Sequence, residues 1–215
     1  MPLRNHTLIM QMIKNYRLIH IDGRYASGKT ALTFRLAEEL LRHHGFRYLY
    51  SNVSSVWNDD PNKFVLNNYD TLDAVLVLDE AGTFLSSKKD WEQWTAALRK
   101  LNVVLIAPSV EALPARKNIL VIERESNYQT LGAPVWRYVC YQETRRKTYK
   151  YTFDWVNPSE IFGVYSTSEY PTDAKKLSQV IANALIVRDM ADGNKERAMH
   201  HKLNSAKRGI VTIEL

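Results

Sequence analysis

The feature that most constrains this sequence is the segment Gly23–Thr30 (GRYASGKT), which matches the pattern G-x-x-x-x-G-K-[ST] in full. The run RLIHID at Arg17–Asp22 predicts a strand directly before it, and the apolar spacing of Thr30–His44 predicts a helix directly after it. Glycines between a strand and a helix let the backbone curl until its N–H groups point at one anion, which the positive end of the helix dipole also attracts. The segment therefore predicts a loop that binds phosphate groups.

Within this loop, two side chains have specific expected roles toward ATP and Mg²⁺, the predicted cofactors. Lys29 is expected to reach the β- and γ-phosphates, and the Thr30 hydroxyl is expected to bind Mg²⁺. The alternative is a chance match, expected roughly once in a hundred chains of this length. The predicted nucleotide-binding residues are Gly23, Arg24, Tyr25, Ala26, Ser27, Gly28, Lys29 and Thr30.

A second motif is the apolar run Ala74–Asp79 (AVLVLD), which predicts a buried parallel strand followed by two acids, Asp79 and Glu80. Ligands bind at the carboxyl ends of strands in open α/β sheets, so both acids are expected beside the phosphate loop. Asp79 is expected to support Mg²⁺ through water or Thr30, and Glu80 to activate the water that attacks the γ-phosphate. Metal ligation is therefore assigned to Thr30 and Asp79, and catalysis to Lys29 and Glu80.

The alternation of short β-rich runs with helical patterns predicts an α/β fold of the P-loop NTPase kind, with a mainly parallel central sheet flanked by helices. A C-terminal β-hairpin and helix are expected to follow. Residues 1–130 are assigned to the ATPase core and residues 131–215 to an extension packed on it. The further predicted elements are strands at Arg47–Ser51, Asn102–Ala107 and Ile119–Glu123, and helices from Asp90 and over Thr172–Met190.

A glutamate after the strand-end aspartate resembles the P-loop ATPases that have a catalytic glutamate and an additional strand between the loop strand and the Asp-Glu strand. The sequence alone leaves the strand order open. Ser109 ends the fourth predicted strand, where a polar side chain can hydrogen-bond the γ-phosphate or the attacking water, so it is a third candidate catalytic residue. A serine in an ordinary turn is the alternative.

The order of these motifs, followed by Pro114–Asn118 (PARKN) and another strand, resembles the FtsK–HerA group of ATPases over about residues 17–125. That group includes viral genome-packaging ATPases and the Zot-like assembly ATPases of filamentous phages. The resemblance implies a homo-oligomeric ring in which a basic residue serves a neighbouring subunit's nucleotide, with Arg116 as the candidate catalytic residue and Lys117 as the reserve. The chain lacks the membrane segment of many Zot-like proteins, and its size is more similar to the packaging enzymes of tailless, internally membraned viruses.

The net charge of +6 is concentrated in the C-terminal third. Residues 135–155 hold five Lys/Arg against two acids, and residues 173–215 hold eight against five. The aromatic and basic residues of the predicted hairpin suit nucleic acid, most simply double-stranded DNA, because cations neutralise phosphates and rings stack on bases. A hairpin that buries its aromatic face and exposes a charged turn at Arg145, Arg146 and Lys147 is the alternative, and both can hold.

Together these features predict an ATP-hydrolysing motor of a ring assembly that acts on nucleic acid, as in genome packaging or translocation. The alternative is an ATP-dependent assembly or switch protein acting on a protein partner, such as a capsid or assembly protein, without DNA translocation. A small-molecule kinase is disfavoured by Glu80. The longest apolar run, Ala74–Leu78, is too short to span a membrane, and the single cysteine, Cys140, excludes an internal disulfide. The expected location is the cytoplasm, or the host cytoplasm or virion if the protein is viral.

Overall fold

The computed structural model describes residues 6–61, 63–84, 96–110, 119–143, 147–166, 175–194, 196–199 and 202. The strands are β1 (Leu18–Asp22), β2 (Tyr48–Ser51), β3 (Ala74–Val77), β4 (Val104–Ser109), β5 (Leu120–Thr130), β6 (Ala133–Glu143) and β7 (Thr148–Val156). The helices are α1 (His6–Tyr16), α2 (Lys29–His43), α3 (Ala81–Phe84) and α4 (Lys175–Ala191), with a 3-10 turn at Pro158–Ile161. Residues 96–100 are also helical.

All seven strands belong to one sheet in the order β2-β3-β4-β1-β5-β6-β7. The first four neighbouring pairs, from β2 to β5, are parallel, whereas β5–β6 and β6–β7 are antiparallel. The protein is therefore an α/β structure with a mostly parallel mixed sheet, as the alternating pattern predicts. Strand β4 lies between β1 and β3, which settles the strand order that the sequence left open.

Apolar side chains cover both faces of this sheet. On one face, α1 and α2 pack against the strands through fully buried residues such as Ile13, Phe34 and Leu40. On the other, helical residues 96–100 and α4 supply Leu98, Val180 and their neighbours. Because both faces are buried, β3 and β4 consist of apolar residues almost throughout, which is why the sequence identified them easily.

The three C-terminal strands extend the sheet away from the parallel part. Strand β5 continues to Thr130, well past the predicted end at Glu123, because its polar second half pairs with β6 instead of packing in the core. Strand β7 is exposed at its start and buried at Phe153 and Trp155. Residues 144–146, the centre of the predicted basic turn, lie outside the described residues.

Two further differences from the sequence prediction concern helices. The sequence analysis assigned no element to residues 6–16, yet α1 is there, with Ile9, Met10 and Ile13 completely buried. The predicted helix from Asp90 lies outside the described residues except for its last part. Across the described parts of the chain, no helix is both long enough and apolar enough to span a bilayer.

Candidate active site

The phosphate-loop residues form a tight turn between β1 and α2. Gly23 and Gly28 have φ angles of 153° and 83°, in the region that side chains disfavour, so the loop needs glycine at both positions. The Lys29 ammonium lies inside this turn and donates hydrogen bonds to the carbonyl oxygens of Gly23 at 2.9 Å and Arg24 at 3.0 Å. The side chains of Arg24, Tyr25 and Ala26 are exposed. The loop thus holds a cation ready at the start of a helix.

Thr30, at the start of α2, connects the loop to the Asp-Glu motif. Its hydroxyl donates a hydrogen bond of 3.1 Å to Oδ2 of Asp79, which is just past the end of β3. These two residues are 49 positions apart in the sequence, and β4 lies between β3 and β1, the strand that precedes the loop. The structure therefore brings the two predicted Mg²⁺ ligands together.

Asp79 is a buried acid, only 9% exposed. Burial raises the pKa of its carboxyl above the ordinary value, and the hydrogen bond from Thr30 and the charge of Lys29 oppose that rise. A buried carboxylate gains when a cation arrives, since the cation replaces the lost hydration. Oxygen ligands from a hydroxyl and a carboxylate suit Mg²⁺, which normally keeps several waters and uses substrate phosphates as further ligands. The site therefore fits this ion. The described residues contain no cluster of three or more His, Cys, Asp or Glu side chains.

Glu80 is held in an unusual backbone conformation. Its φ is 52°, in the left-handed region that non-glycine residues rarely adopt. Its N–H donates to Oδ1 of Asp79 at 3.1 Å, and its carbonyl accepts from the Thr83 N–H at 2.9 Å. Residues in such conformations cluster at functional sites. The side chain of Glu80 is half-buried, and its role as a catalytic base stays a prediction.

Asn52, which directly follows β2, is a site residue that the sequence analysis missed. Its side-chain amide donates to the Asp79 carbonyl at 3.0 Å, and its side-chain oxygen accepts the Asp79 N–H at 2.7 Å. This pair of bonds fixes the backbone from which both acids project. The available signal was its position: it is a polar residue directly after a strand of a parallel sheet.

Ser109 is at the end of β4, in register with Asp22 of β1, and is buried. Its hydroxyl accepts a hydrogen bond of 3.3 Å from the Gly82 N–H, just after Glu80. The contact is to the backbone that follows the acid pair. A phosphate-sensing role for Ser109 stays a prediction. Arg116 and Lys117, the candidates for a residue acting on a neighbouring subunit, lie outside the described residues.

A cavity of about 440 Å³ opens beside the phosphate loop. This volume is within the range of small-ligand sites. Arg124, on β5, lines this cavity and also contacts the phosphate loop directly. The sequence analysis did not identify this residue. The lining residues are Asp22, Gly23, Arg24, Ser27, Val110, Glu123 and Arg124.

Comparison with models of protein families gives no match for this chain. Comparison with curated proteins gives no significant match either.

Proposed function

We propose that this protein is a P-loop ATPase that hydrolyses ATP with Mg²⁺. The observation that carries the proposal is the hydrogen bond from Thr30 to Asp79, since it joins a complete phosphate-loop motif to the acids at the end of β3. The position of β4 between β1 and β3 gives further support. This strand order is expected of P-loop ATPases with a catalytic glutamate. The Asp79-Glu80 pair resembles the acid pair of that class.

In this proposal each residue has one task. The loop N–H groups and the Lys29 ammonium bind the β- and γ-phosphates. Thr30 and Asp79 would hold Mg²⁺, which would supply positive charge at the phosphate oxygens. Glu80 accepts a proton from a water whose oxygen attacks the γ-phosphorus, while the bond from that phosphorus to ADP breaks. Asn52 and the backbone bonds around Glu80 keep the carboxylate in place.

We further propose that the ATPase works as the motor of a homo-oligomeric ring on nucleic acid. The support within the described residues is the first half of β7, where Thr148, Tyr149 and Lys150 are exposed next to the exposed Lys147. Cations and exposed rings on one strand suit phosphates and bases. Further along β7, Phe153 and Trp155 pack in the core, so the surface proposed for nucleic acid is limited to the start of the strand.

The test is ATP hydrolysis measured with and without double-stranded DNA, together with the mass of the assembly. Stimulation by DNA and a ring-sized mass support the motor. ATP turnover that ignores DNA but changes with a protein partner favours the assembly or switch alternative. A requirement for a phosphate acceptor other than water would contradict hydrolysis and point to a kinase.

A further inference from the structure

Arg124 contacts the phosphate loop from β5, which lies beside β1 on the side opposite β4. Its Nη1 atom donates a hydrogen bond of 2.9 Å to the carbonyl oxygen of Ser27, a residue 97 positions away in the sequence. A guanidinium donating to a carbonyl is a charge-assisted hydrogen bond, which is stronger than a neutral one. This bond therefore fixes the orientation of one peptide unit of the loop, the one that joins Ser27 to Gly28.

The orientation of that peptide matters for anion binding. In a trans peptide the C=O and the next N–H point in opposite directions. When Arg124 holds the Ser27 carbonyl, the Gly28 N–H must point away from Arg124. In a loop that binds phosphate through its N–H groups, this is a donor that has to be fixed in advance.

Trp136, on β6, holds the same peptide from a second direction. Its six-membered ring occupies the space in which a Cβ at position 28 would lie, so Gly28 and Trp136 are in close contact. The guanidinium of Arg124 lies over the Trp136 ring, 4.6 Å from its centroid. The indole is itself supported by Trp155, whose ring centroid is 5.6 Å away at a nearly perpendicular angle.

The backbone of β5 is also adapted at this point. The register between β5 and β6 shifts between Arg124 and Ser126, which marks a β-bulge. Bulges redirect side chains and are frequent next to active sites. The bulge therefore lies at the residue whose side chain leaves the sheet to contact the loop.

We infer that Arg124 and Trp136 form a clamp on the Ser27–Gly28 peptide, and that this clamp sets the affinity of the loop for the nucleotide's phosphates. The inference rests on the proposed ATP binding. Arg124 and Trp136 are positioning residues: they act on the phosphates by orienting the loop. The clamp gives the antiparallel strands a part in the nucleotide site, because both of its side chains come from β5 and β6.

The test compares Arg124→Met with Arg124→Lys and with Arg47→Met as the matched control. Arg47 also lies over an aromatic ring, at 5.3 Å from the centroid of Tyr48, but next to the edge strand β2, four positions from β5 in the sheet order. Loss of the charge-assisted bond is expected to weaken ATP binding about tenfold in Arg124→Met. The KM for ATP should rise more than kcat falls, since the loop binds ground state and transition state alike. Arg124→Lys keeps a charged donor and should fall between Arg124→Met and the parent, and Arg47→Met should match the parent.

Hydrogen–deuterium exchange of residues 23–30 in the nucleotide-free protein provides a second readout. We expect faster exchange of this segment in Arg124→Met and in Trp136→Leu, and no change in Arg47→Met. If exchange and ATP affinity stay at parental values while only the thermal midpoint falls, Arg124 is a purely structural residue and the inference is overturned. If the parent binds no ATP, the proposed function fails, and the exchange data still decide whether the clamp exists.

Discussion

Lys29 shows how a single side chain is prepared for an anion. It is only 7% exposed and donates to two loop carbonyls, which are neutral acceptors. A phosphate adds the attraction between two opposite charges, which a neutral carbonyl oxygen cannot supply to the ammonium. The Lys29 ammonium therefore lies at the point where the phosphates are expected to bind.

Replacing Lys29 by Ala should weaken ATP binding by about tenfold to a hundredfold, because hydrogen bonds to charged groups contribute about 1.5–3 kcal/mol each. The measurement is equilibrium ATP binding by calorimetry. Lys63→Ala is a suitable control, since Lys63 is 83% exposed on a loop next to β2. Parental ATP affinity in Lys29→Ala would contradict the assignment of the loop.

His20, on β1 next to the site, predicts a pH dependence of stability. Burial lowers its pKa below the ordinary value of 6.5, with Lys29 acting in the same direction, whereas the hydrogen bond to Ala107 and the charges of Asp22 and Glu123 oppose the shift. The unfolded chain therefore binds the proton more readily than the folded one. Stability is fully present above pH 6.5 and is lost as the pH falls toward the lowered value.

His20→Gln keeps an N–H that can donate to the Ala107 carbonyl, and it cannot be protonated. The fall in thermal midpoint between pH 7.5 and pH 5 should be smaller in this variant than in the parent. His43→Gln, at a side chain that is 61% exposed, serves as the control for the removal of a histidine. Equal pH dependence in His20→Gln and the parent would show that His20 does not carry the effect.

At the scale of elements, the sequence predicted those that bury apolar residues on a regular spacing. Strands β1, β3 and β4 and helix α2 were within reach because their apolar residues are continuous or correctly spaced. The second half of β5 was not, because residues 124–130 are polar and owe their strand conformation to pairing with β6. Helix α1 was not predicted, although Ile9 and Ile13 have helical spacing, because polar residues such as Gln11 and Lys14 interrupt its apolar residues.

In the candidate site, too, local patterns were predicted and long-range contacts were not. The loop and the two acids were identified because their functional residues are adjacent in the sequence. Asn52, Arg124 and Trp136 come from separate elements, and their contacts to the site exist only once the sheet order is fixed. Sequence spacing carries no information on a bond such as that from Arg124 to Ser27, which spans 97 positions.

The exposed start of β7 predicts where nucleic acid would bind. Lys147 and Lys150 are both exposed, and each phosphate contact contributes close to one unit to the salt dependence of binding. Replacing both by Ala should reduce the slope of log K against log salt by about two units, without loss of basal ATP hydrolysis. The measurement is DNA binding at several salt concentrations. The double variant Lys63→Ala and Lys100→Ala serves as control, and an unchanged slope in the β7 variant would favour the assembly or switch alternative.

At the scale of the whole molecule, the C-terminal extension contacts the rest of the protein through hydrogen bonds and a ring contact as well as through strand pairing. The Val56 N–H donates to the Val164 carbonyl at 2.9 Å, and the Ser166 N–H to the Ser54 carbonyl at 3.0 Å. The ring of Tyr165 stacks on Phe34 of α2 at a centroid distance of 5.0 Å. The loop after β2, which begins with Asn52, therefore connects the extension to the backbone of Asp79.

The proposed ring predicts complementation between two inactive variants. Arg116→Ala subunits can bind ATP and lack the residue expected to act on a neighbour, a residue type worth about 10³–10⁵ in rate where it operates. Lys29→Ala subunits bind ATP poorly and still supply Arg116. Mixing the two should restore ATP hydrolysis above the sum of the separate rates. Strictly additive rates would argue against an Arg116 that acts between subunits.

The role proposed for Glu80 is to activate water for attack on ATP held by the phosphate loop. The most direct measurement is phosphate release at saturating Mg²⁺ and ATP by the parent and by Glu80→Gln, with bound ATP determined in parallel. The amide keeps the shape of the side chain and loses its basicity, so ATP should stay bound while turnover falls by about 10²–10⁴. Hydrolysis by Glu80→Gln at the parental rate, or a parent no faster than Lys29→Ala, would contradict the claim.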